Sequence, residues 1–350
     1  MNRQFQAGFA AIALLLAQPL AAAQTGGRSD SPSTREAFLK RIGRVRLPLA
    51  SETKDVEEKD GLTQTHFSFV AQGGQRVPGI AVKASARDGR RPVVIALHGT
   101  GGNKEGQLPL LKELARLGFL GVAIDGRHHG ERAKTGKGSE EYVAAILRAY
   151  RTGAEQPFLY DTVLDVMRLL DYLETRADVD AERIGMIGFS KGGMETYLTA
   201  AVDPRVAAAV PCIGVQSFDW ALKNNAWQSR AETFQAALNS AARDAAVAQL
   251  DADFVRAFYD RVAPGVYTQF DGPAMLPLIA PRPLLVINGE ADARTPLPGL
   301  MECDARARAA YRKARAEEKY ELLIQPRTGH AVTPAARQAA LAWFVKWLRP

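Results

Sequence analysis

The sequence predicts an α/β fold with a mostly parallel central sheet flanked by helices. Three observations carry this. From residue 93 onward, short unbroken apolar runs alternate with longer helical patterns. The runs are Val93–Leu97, Phe119–Ile124, Ile184–Phe189, Val206–Ile213, Leu284–Ile287 and Tyr320–Ile324, the length and continuity of strands buried on both faces. Between them the spacing predicts helices over Lys104–Leu117, Phe158–Thr175, Lys191–Ala201 and Cys303–Ala316, with a last one over Pro334–Leu348.

The elements before this alternation are of other kinds. Residues 1–23 read as an export signal: Arg3, then the apolar run Ala7–Ala17, then small residues with cleavage near Ala23–Gln24. The run is shorter than the roughly 20 residues a membrane span needs. An uncleaved anchor or a buried helix are the competing readings. The expected location is periplasmic or secreted, with no stable membrane insertion after cleavage. Residues 24–61 are a lead-in that is polar over Gln24–Ser33 and carries a short amphipathic helix over Glu36–Val45. Residues 62–350 are expected to form one domain. It opens with Leu62–Ala71 and Arg76–Lys83 on either side of Gly73–Gly74, a β-hairpin pattern. Pro78 demotes the second run to an edge strand, because proline cannot donate to a sheet ladder. From about 215 to 278 no strand is visible, and Trp220, Phe234, Phe258 and Tyr259 lie among helical patterns. This stretch reads as a helical insertion, either over the catalytic face or packed beside the core.

The strongest chemical signal is Gly188-Phe189-Ser190-Lys191-Gly192, a G-x-S-x-G sequence between a strand and a helix. A serine on such a turn is held strained with its hydroxyl exposed. The flanking glycines leave room for backbones that pass close together. A serine hydroxyl needs a base to become a nucleophile. Of the histidines His66, His98, His128, His129 and His330, only His330 follows Ser190, in the loop after the last strand. The acid that holds the histidine is expected after the preceding strand, where Glu290 and Asp292 both stand; the spacing to Pro296 favours Asp292. Donors for a tetrahedral oxyanion would be the backbone N–H groups of Lys191 and Thr100, the latter in His98-Gly99-Thr100-Gly101-Gly102. His98 reads as a brace for that loop. The Lys191 side chain either adds positive potential near the oxyanion or points to solvent.

Composition bounds the rest. The 350 residues are 47% hydrophobic and 24% charged, which excludes a disordered chain. The formal charge of +7, or +6 once Arg3 leaves with the signal, shows no one-sided basic patch with aromatic support, so no nucleic-acid partner is expected. Adjacent His128 and His129 lack further ligands at metal-site spacing, and neither metal nor organic cofactor is expected. Cys212 and Cys303 allow one disulfide, though Cys212 sits in an apolar strand as a small hydrophobe would.

Taken together, His98-Gly99-x-Gly101-Gly102, Asp125-Gly126-Arg127-x-His129-Gly130, Gly188-x-Ser190-x-Gly192-Gly193, Asp203-Pro204-Arg205-Val206, Asp292 and His330 resemble the α/β-hydrolase superfamily. The chain is most similar to its branch of dienelactone-hydrolase-like proteins, acetyl xylan esterases and prolyl-oligopeptidase-type catalytic domains. The resemblance runs from about Leu62 to Leu348. It implies an α/β-hydrolase fold and a serine hydrolase with Ser190, His330 and Asp292 as triad, acting on a small-molecule ester, small or carbohydrate-linked. Dienelactone hydrolases carry cysteine where Ser190 stands, which turns the reading from lactones. Prolyl peptidases usually carry an N-terminal propeller that the residues before 62 are too few to build. A serine peptidase is the alternative, and a non-catalytic binding protein with this fold the third reading. The sequence leaves the oligomeric state open.

Overall fold

The computed structural model describes Met1 and residues 33–350, apart from Arg46, Arg87 and Asp88. The signal expected over 1–23 and the polar lead-in up to Pro32 lie outside the described residues. Among the described residues no helix is long and apolar enough to cross a membrane.

Among the described residues nine strands form one sheet: β1 (Glu52–Lys59), β2 (Leu62–Val70), β3 (Arg76–Ala84), β4 (Arg91–Leu97), β5 (Leu120–Ile124), β6 (Val179–Phe189), β7 (Val206–Cys212), β8 (Leu284–Gly289) and β9 (Tyr320–Gln325). Their spatial order is β1-β2-β3-β5-β4-β6-β7-β8-β9. The first three and β5 pair antiparallel, and all pairings from β5 to β9 are parallel. The helices are α1 (Thr34–Ile42), α2 (Leu108–Arg116), α3 (Gly138–Thr152), α4 (Tyr160–Glu174) and α5 (Lys191–Val202), then α6 (Phe218–Lys223), α7 (Gln228–Ala231), α8 (Gln235–Asp244), α9 (Ala252–Val262) and α10 (Gly272–Met275), and last α11 (Leu297–Lys313) and α12 (Pro334–Leu348).

Residues of β4 show why the runs are unbroken. Val93, Ile95 and Leu97 join the core under α1, α3, α4, α5 and the insertion, whereas Val94 and Ala96 join the core under α2 and α12. Both faces of the strand are covered, so both sets of positions must be apolar.

Pro78 is not on an edge. Strand β3 lies between β2 and β5, with Pro78 opposite Ser68. The missing N–H falls where the β3–β5 ladder stops at Gly79–Ile124. The Pro78 carbonyl still accepts from the Asp125 N–H at 3.1 Å. The Asp125 carbonyl, which an N–H at position 78 would have served, accepts from Arg132 Nη1 at 3.2 Å instead. A side chain has replaced the ladder bond that proline cannot make.

Two elements stand outside the sequence-based reading. Strand β1, Glu-Thr-Lys-Asp-Val-Glu-Glu-Lys, has a single apolar residue because it is the sheet edge. Helix α3 lies in a stretch without a predicted element, yet Tyr142, Ile146 and Ala149 recur on one buried face. The cysteines are free and buried.

Helix α1 begins in a capping box, with Ser33 N–H donating to Glu36 Oε2 at 2.8 Å and Glu36 N–H to Ser33 Oγ at 3.3 Å. It ends at Gly43, whose φ of 58° supplies the left-handed stop. Fully buried Phe38 sits 5.1 Å from the ring of Tyr160 on α4 and 5.1 Å from that of Phe270 in the insertion. The aromatic residues Phe218, Phe234, Phe258 and Tyr259 of the insertion are likewise buried, against Phe158 and Tyr150. They are core.

Phe38→Ala should therefore lower the unfolding free energy by roughly 3–5 kcal/mol. Urea denaturation followed by circular dichroism measures it; a change below about 1 kcal/mol would mean that α1 is not part of the cooperative unit.

Candidate active site

The parallel strands end together, and at their carboxyl ends lie the site residues singled out from the sequence. In register, Leu97 lies beside Gly188, Phe189 beside Cys212, Cys212 beside Ile287, and Gly289 beside Gln325. The loops that follow carry Thr100, Ser190, Asp292 and His330.

Ser190 is the N-cap of α5, with φ 54° and ψ −112°. This is a costly conformation for a residue with a Cβ. Its N–H donates to the Cys212 carbonyl at 3.0 Å, and its carbonyl accepts from Met194 at 3.0 Å. A Cβ at position 188 would lie 2.1 Å from the Gly192 carbonyl oxygen, and one at 192 would lie 2.4 Å from that of Leu97. Only glycine lets strand, turn and helix approach so closely. The turn also sets Ser190 at a helix N-terminus, where the peptide dipoles favour negative charge.

Three side chains meet here. Ser190 Oγ lies 2.8 Å from His330 Nε2. His330 Nδ1 lies 2.9 and 2.8 Å from the two Asp292 oxygens. A carboxylate only accepts, so Nδ1 carries the hydrogen and Nε2 turns a lone pair to the serine. Burial of Asp292 raises its pKa, but bonds from His330, Thr295 and the Arg294 N–H outweigh this and hold the carboxyl below its usual range. Glu290 is turned elsewhere, accepting from the Arg327 N–H at 2.7 Å.

The Thr100 loop lies against the serine. A Cβ at Gly99 would sit 3.5 Å from the Ser190 Cβ. His98 ties this loop to the one after β5, donating from Nδ1 to the Gly99 carbonyl at 2.7 Å and accepting the Gly126 N–H on Nε2 at 3.0 Å. Beneath it, buried Asp125 accepts from Lys104 N–H at 2.8 Å, Lys104 Nζ at 2.9 Å and Glu131 N–H at 3.0 Å. His129 packs its ring 5.1 Å from both His98 and Tyr142, with Nδ1 on the Arg127 carbonyl at 2.7 Å.

Lys191 corrects an expectation. Its side chain does not point to solvent: it is 1% exposed and its ammonium is paired with equally buried Glu195 one helical turn on. The ammonium lies 5.4 Å from the centre of the Tyr142 ring. The Lys-x-x-x-Glu spacing was the available signal for this pair. Two polar residues near the site gave none: Gln216, after β7, and Arg230, on α7. Both are 1% exposed.

Two families match this chain. The family described as acetyl xylan esterase matches residues 37–220, and the prolyl oligopeptidase family matches residues 148–350. The chain belongs to the acetyl xylan esterase/prolyl oligopeptidase branch of the α/β-hydrolases. This α/β-hydrolase is 27% identical over 316 residues to the protein named "Putative hydrolase YtaP" of Bacillus subtilis (strain 168), a match covering 87% of this chain and 94% of that one. Its fold is that of an acetyl xylan esterase from Paenibacillus sp. R4, at 20% identity and TM-score 0.63, covering 89% of this chain and 92% of the other. Acetyl xylan esterase 1 from Thermoanaerobacterium sp. JW/SL YS485 is similar at 19% identity and TM-score 0.63, over 90% and 94% of the two chains. The α/β-hydrolase is thus a hydrolase of an esterase family.

The buried histidines predict an acid-side loss of stability. Burial, then the charge of Lys191, lowers the pKa of His98 to about 4 and that of His129 to about 2. Unfolded histidines bind protons below about 6.5. Between these values the unfolded state binds more protons, so stability falls as pH falls, by up to about 1.4 kcal/mol per pH unit for each residue. Urea unfolding at pH 6.5 and 5.5 should show a drop of at least about 2 kcal/mol, since burial also lowers the pKa of partly buried His128 to about 4, and the drop should be shallower in His129→Phe. An equal slope in wild type and variant would contradict neutral burial of His129.

Proposed function

We propose that this α/β-hydrolase cleaves carboxylic esters, small or carbohydrate-linked, through an acyl-enzyme formed on Ser190. The observation that carries the reading is the chain of hydrogen bonds from Ser190 Oγ to His330 Nε2 and from His330 Nδ1 to Asp292. His330 takes the Ser190 proton as Oγ attacks the ester carbonyl. The oxyanion is held by the N–H groups of Lys191 and Thr100. As the tetrahedral adduct collapses, the C–O bond to the alcohol breaks and His330 returns the proton to the leaving oxygen. Water then enters, loses a proton to His330 and attacks the acyl carbonyl; the proton returns to Ser190 as the acid departs. Ionised Asp292 keeps the His330 tautomer and stabilises the imidazolium. The kinship with acetyl xylan esterases supports an acetyl or similarly short acyl group.

The match to the prolyl oligopeptidase family favours one second reading, a serine peptidase using the same three residues. Residues 1–23 are proposed as an export signal, and 62–350 as the catalytic domain.

Ser190→Ala should lower kcat on p-nitrophenyl acetate by about 10⁴-fold or more and abolish fluorophosphonate labelling. A folded wild type that neither turns over the ester nor takes the label overturns the reading. Asp292→Asn should cost about 10⁴ in kcat with little change in KM, because the histidine loses its tautomer and not its substrate; a change in KM alone would remove Asp292 from the role. Matched acetyl ester and peptidyl anilide substrates separate esterase from peptidase.

A further inference from the structure

We infer that Arg230 and Gln216 form a receptor for a carboxylate carried by the ester substrate. The inference rests on the proposed esterase reading and adds a chemical class to it. Arg230, 1% exposed, is buried at least as deeply as Arg168, whose guanidinium sits on Asp171 at 2.7 Å, and as Arg91, whose guanidinium is served by the Gly89 and Ala84 carbonyls. Among the described residues, Arg230 has no carboxylate at ion-pair distance. Its Nε and Nη2 both donate to one atom, Gln216 Oε1, at 3.2 and 3.1 Å. That fork fixes which end of the amide is oxygen. Gln216 Nε2 is therefore turned away, and it is buried without a partner. Arg230 Nη1 likewise finds no acceptor among the described residues. The pair thus has spare donors on two side chains, a full positive charge and no spare acceptor. Water or a neutral hydroxyl would leave the charge unanswered. A carboxylate supplies two acceptor oxygens and the missing charge.

The position suits a substrate group. Gln216 belongs to the loop leaving β7, in which a Cβ at Gly214 would lie 2.6 Å from the Ser190 carbonyl oxygen. Burial lowers the Arg230 pKa and the charge of Asp292 opposes it, so the candidate triad acid is within electrostatic range. Glu232, two residues beyond Arg230, pairs at 3.4 Å with Arg294, two residues beyond Asp292. The receptor therefore borders the same loop that carries the acid.

The test compares charged and neutral esters. Monomethyl glutarate against dimethyl glutarate puts the carboxylate on the acyl side. O-acetylglycolate against its ethyl ester puts it on the alcohol side. At least one charged ester should exceed its neutral partner in kcat/KM by about tenfold. That ratio should fall to within about twofold of unity in Arg230→Met, whereas a merely structural arginine would lower both rates alike. Free glutarate, followed by calorimetry, should bind wild type and Ser190→Ala and fail to bind Arg230→Met. Should Arg230→Met not fold, Gln216→Leu carries the same ratio and binding measurements. No charge preference in wild type, or a preference unmoved by these variants, overturns the receptor. Fluorophosphonate labelling without charge preference or glutarate binding leaves the esterase and removes the receptor. Glutarate binding that needs Arg230, in a protein that takes no label, does the reverse.

Discussion

The molecule is organised around one crowded turn. Between the last residue of β6 and the first of α5 the chain reverses within Ser190 alone, and it does so in a conformation that a side-chain-bearing residue resists. The strain persists because the surroundings leave no alternative. The Gly188 backbone closely approaches the Gly192 carbonyl across the turn, the Gly192 backbone that of Leu97 on β4, and Cys212 of the neighbouring strand takes the Ser190 N–H. From this follow the orientation of the hydroxyl, the direction of α5 and the height at which β4 and β7 must end. The acid and the histidine then need only loops of ordinary length, because β8 and β9 finish level with β6.

Behind the turn lies a second layer that is polar and closed. His98, His129, Tyr142, Lys191 and Glu195 touch in sequence, with the Asp125–Lys104 pair alongside. Desolvating so many polar groups is costly unless each finds a partner, and most here do. The return is rigidity: the loop bearing Thr100 is fastened to the loop after β5 through a neutral imidazole, and the first turn of α5 is fastened by an ion pair buried at both ends. In the proposed mechanism these two elements present backbone N–H groups to a transient oxyanion, and such elements gain from having few other conformations.

The parallel strands could be read from the chain because burial on both faces demands unbroken apolar runs. Ser190, Asp292 and His330 could be singled out as candidates because strand ends fix their order and surroundings, and in the structure His330 lies within hydrogen-bond distance of both Ser190 and Asp292. What escaped had physical causes. Strand β1 is polar, and every described side chain on it is exposed, so no periodicity marks it. Pro78 sits inside a sheet because Arg132, 54 positions on, serves the bereft carbonyl, a compensation no local pattern records. Arg230 and Gln216 meet only through the packing of the insertion, whereas the Lys191–Glu195 pair stood in plain view at helical spacing.

The edge strand β1 has a consequence for life at high concentration. A nine-stranded sheet with a flat, apolar margin would recruit strands from neighbouring molecules. At this margin Glu52, Lys54, Glu57, Glu58 and Lys59 are all exposed, and the pairing register shifts between Thr53 and Val56. Covering these charged side chains with another strand would strip their hydration, and the irregularity spoils the hydrogen-bond ladder. The residues that look least informative in the chain are those that keep the sheet from growing past its own boundary.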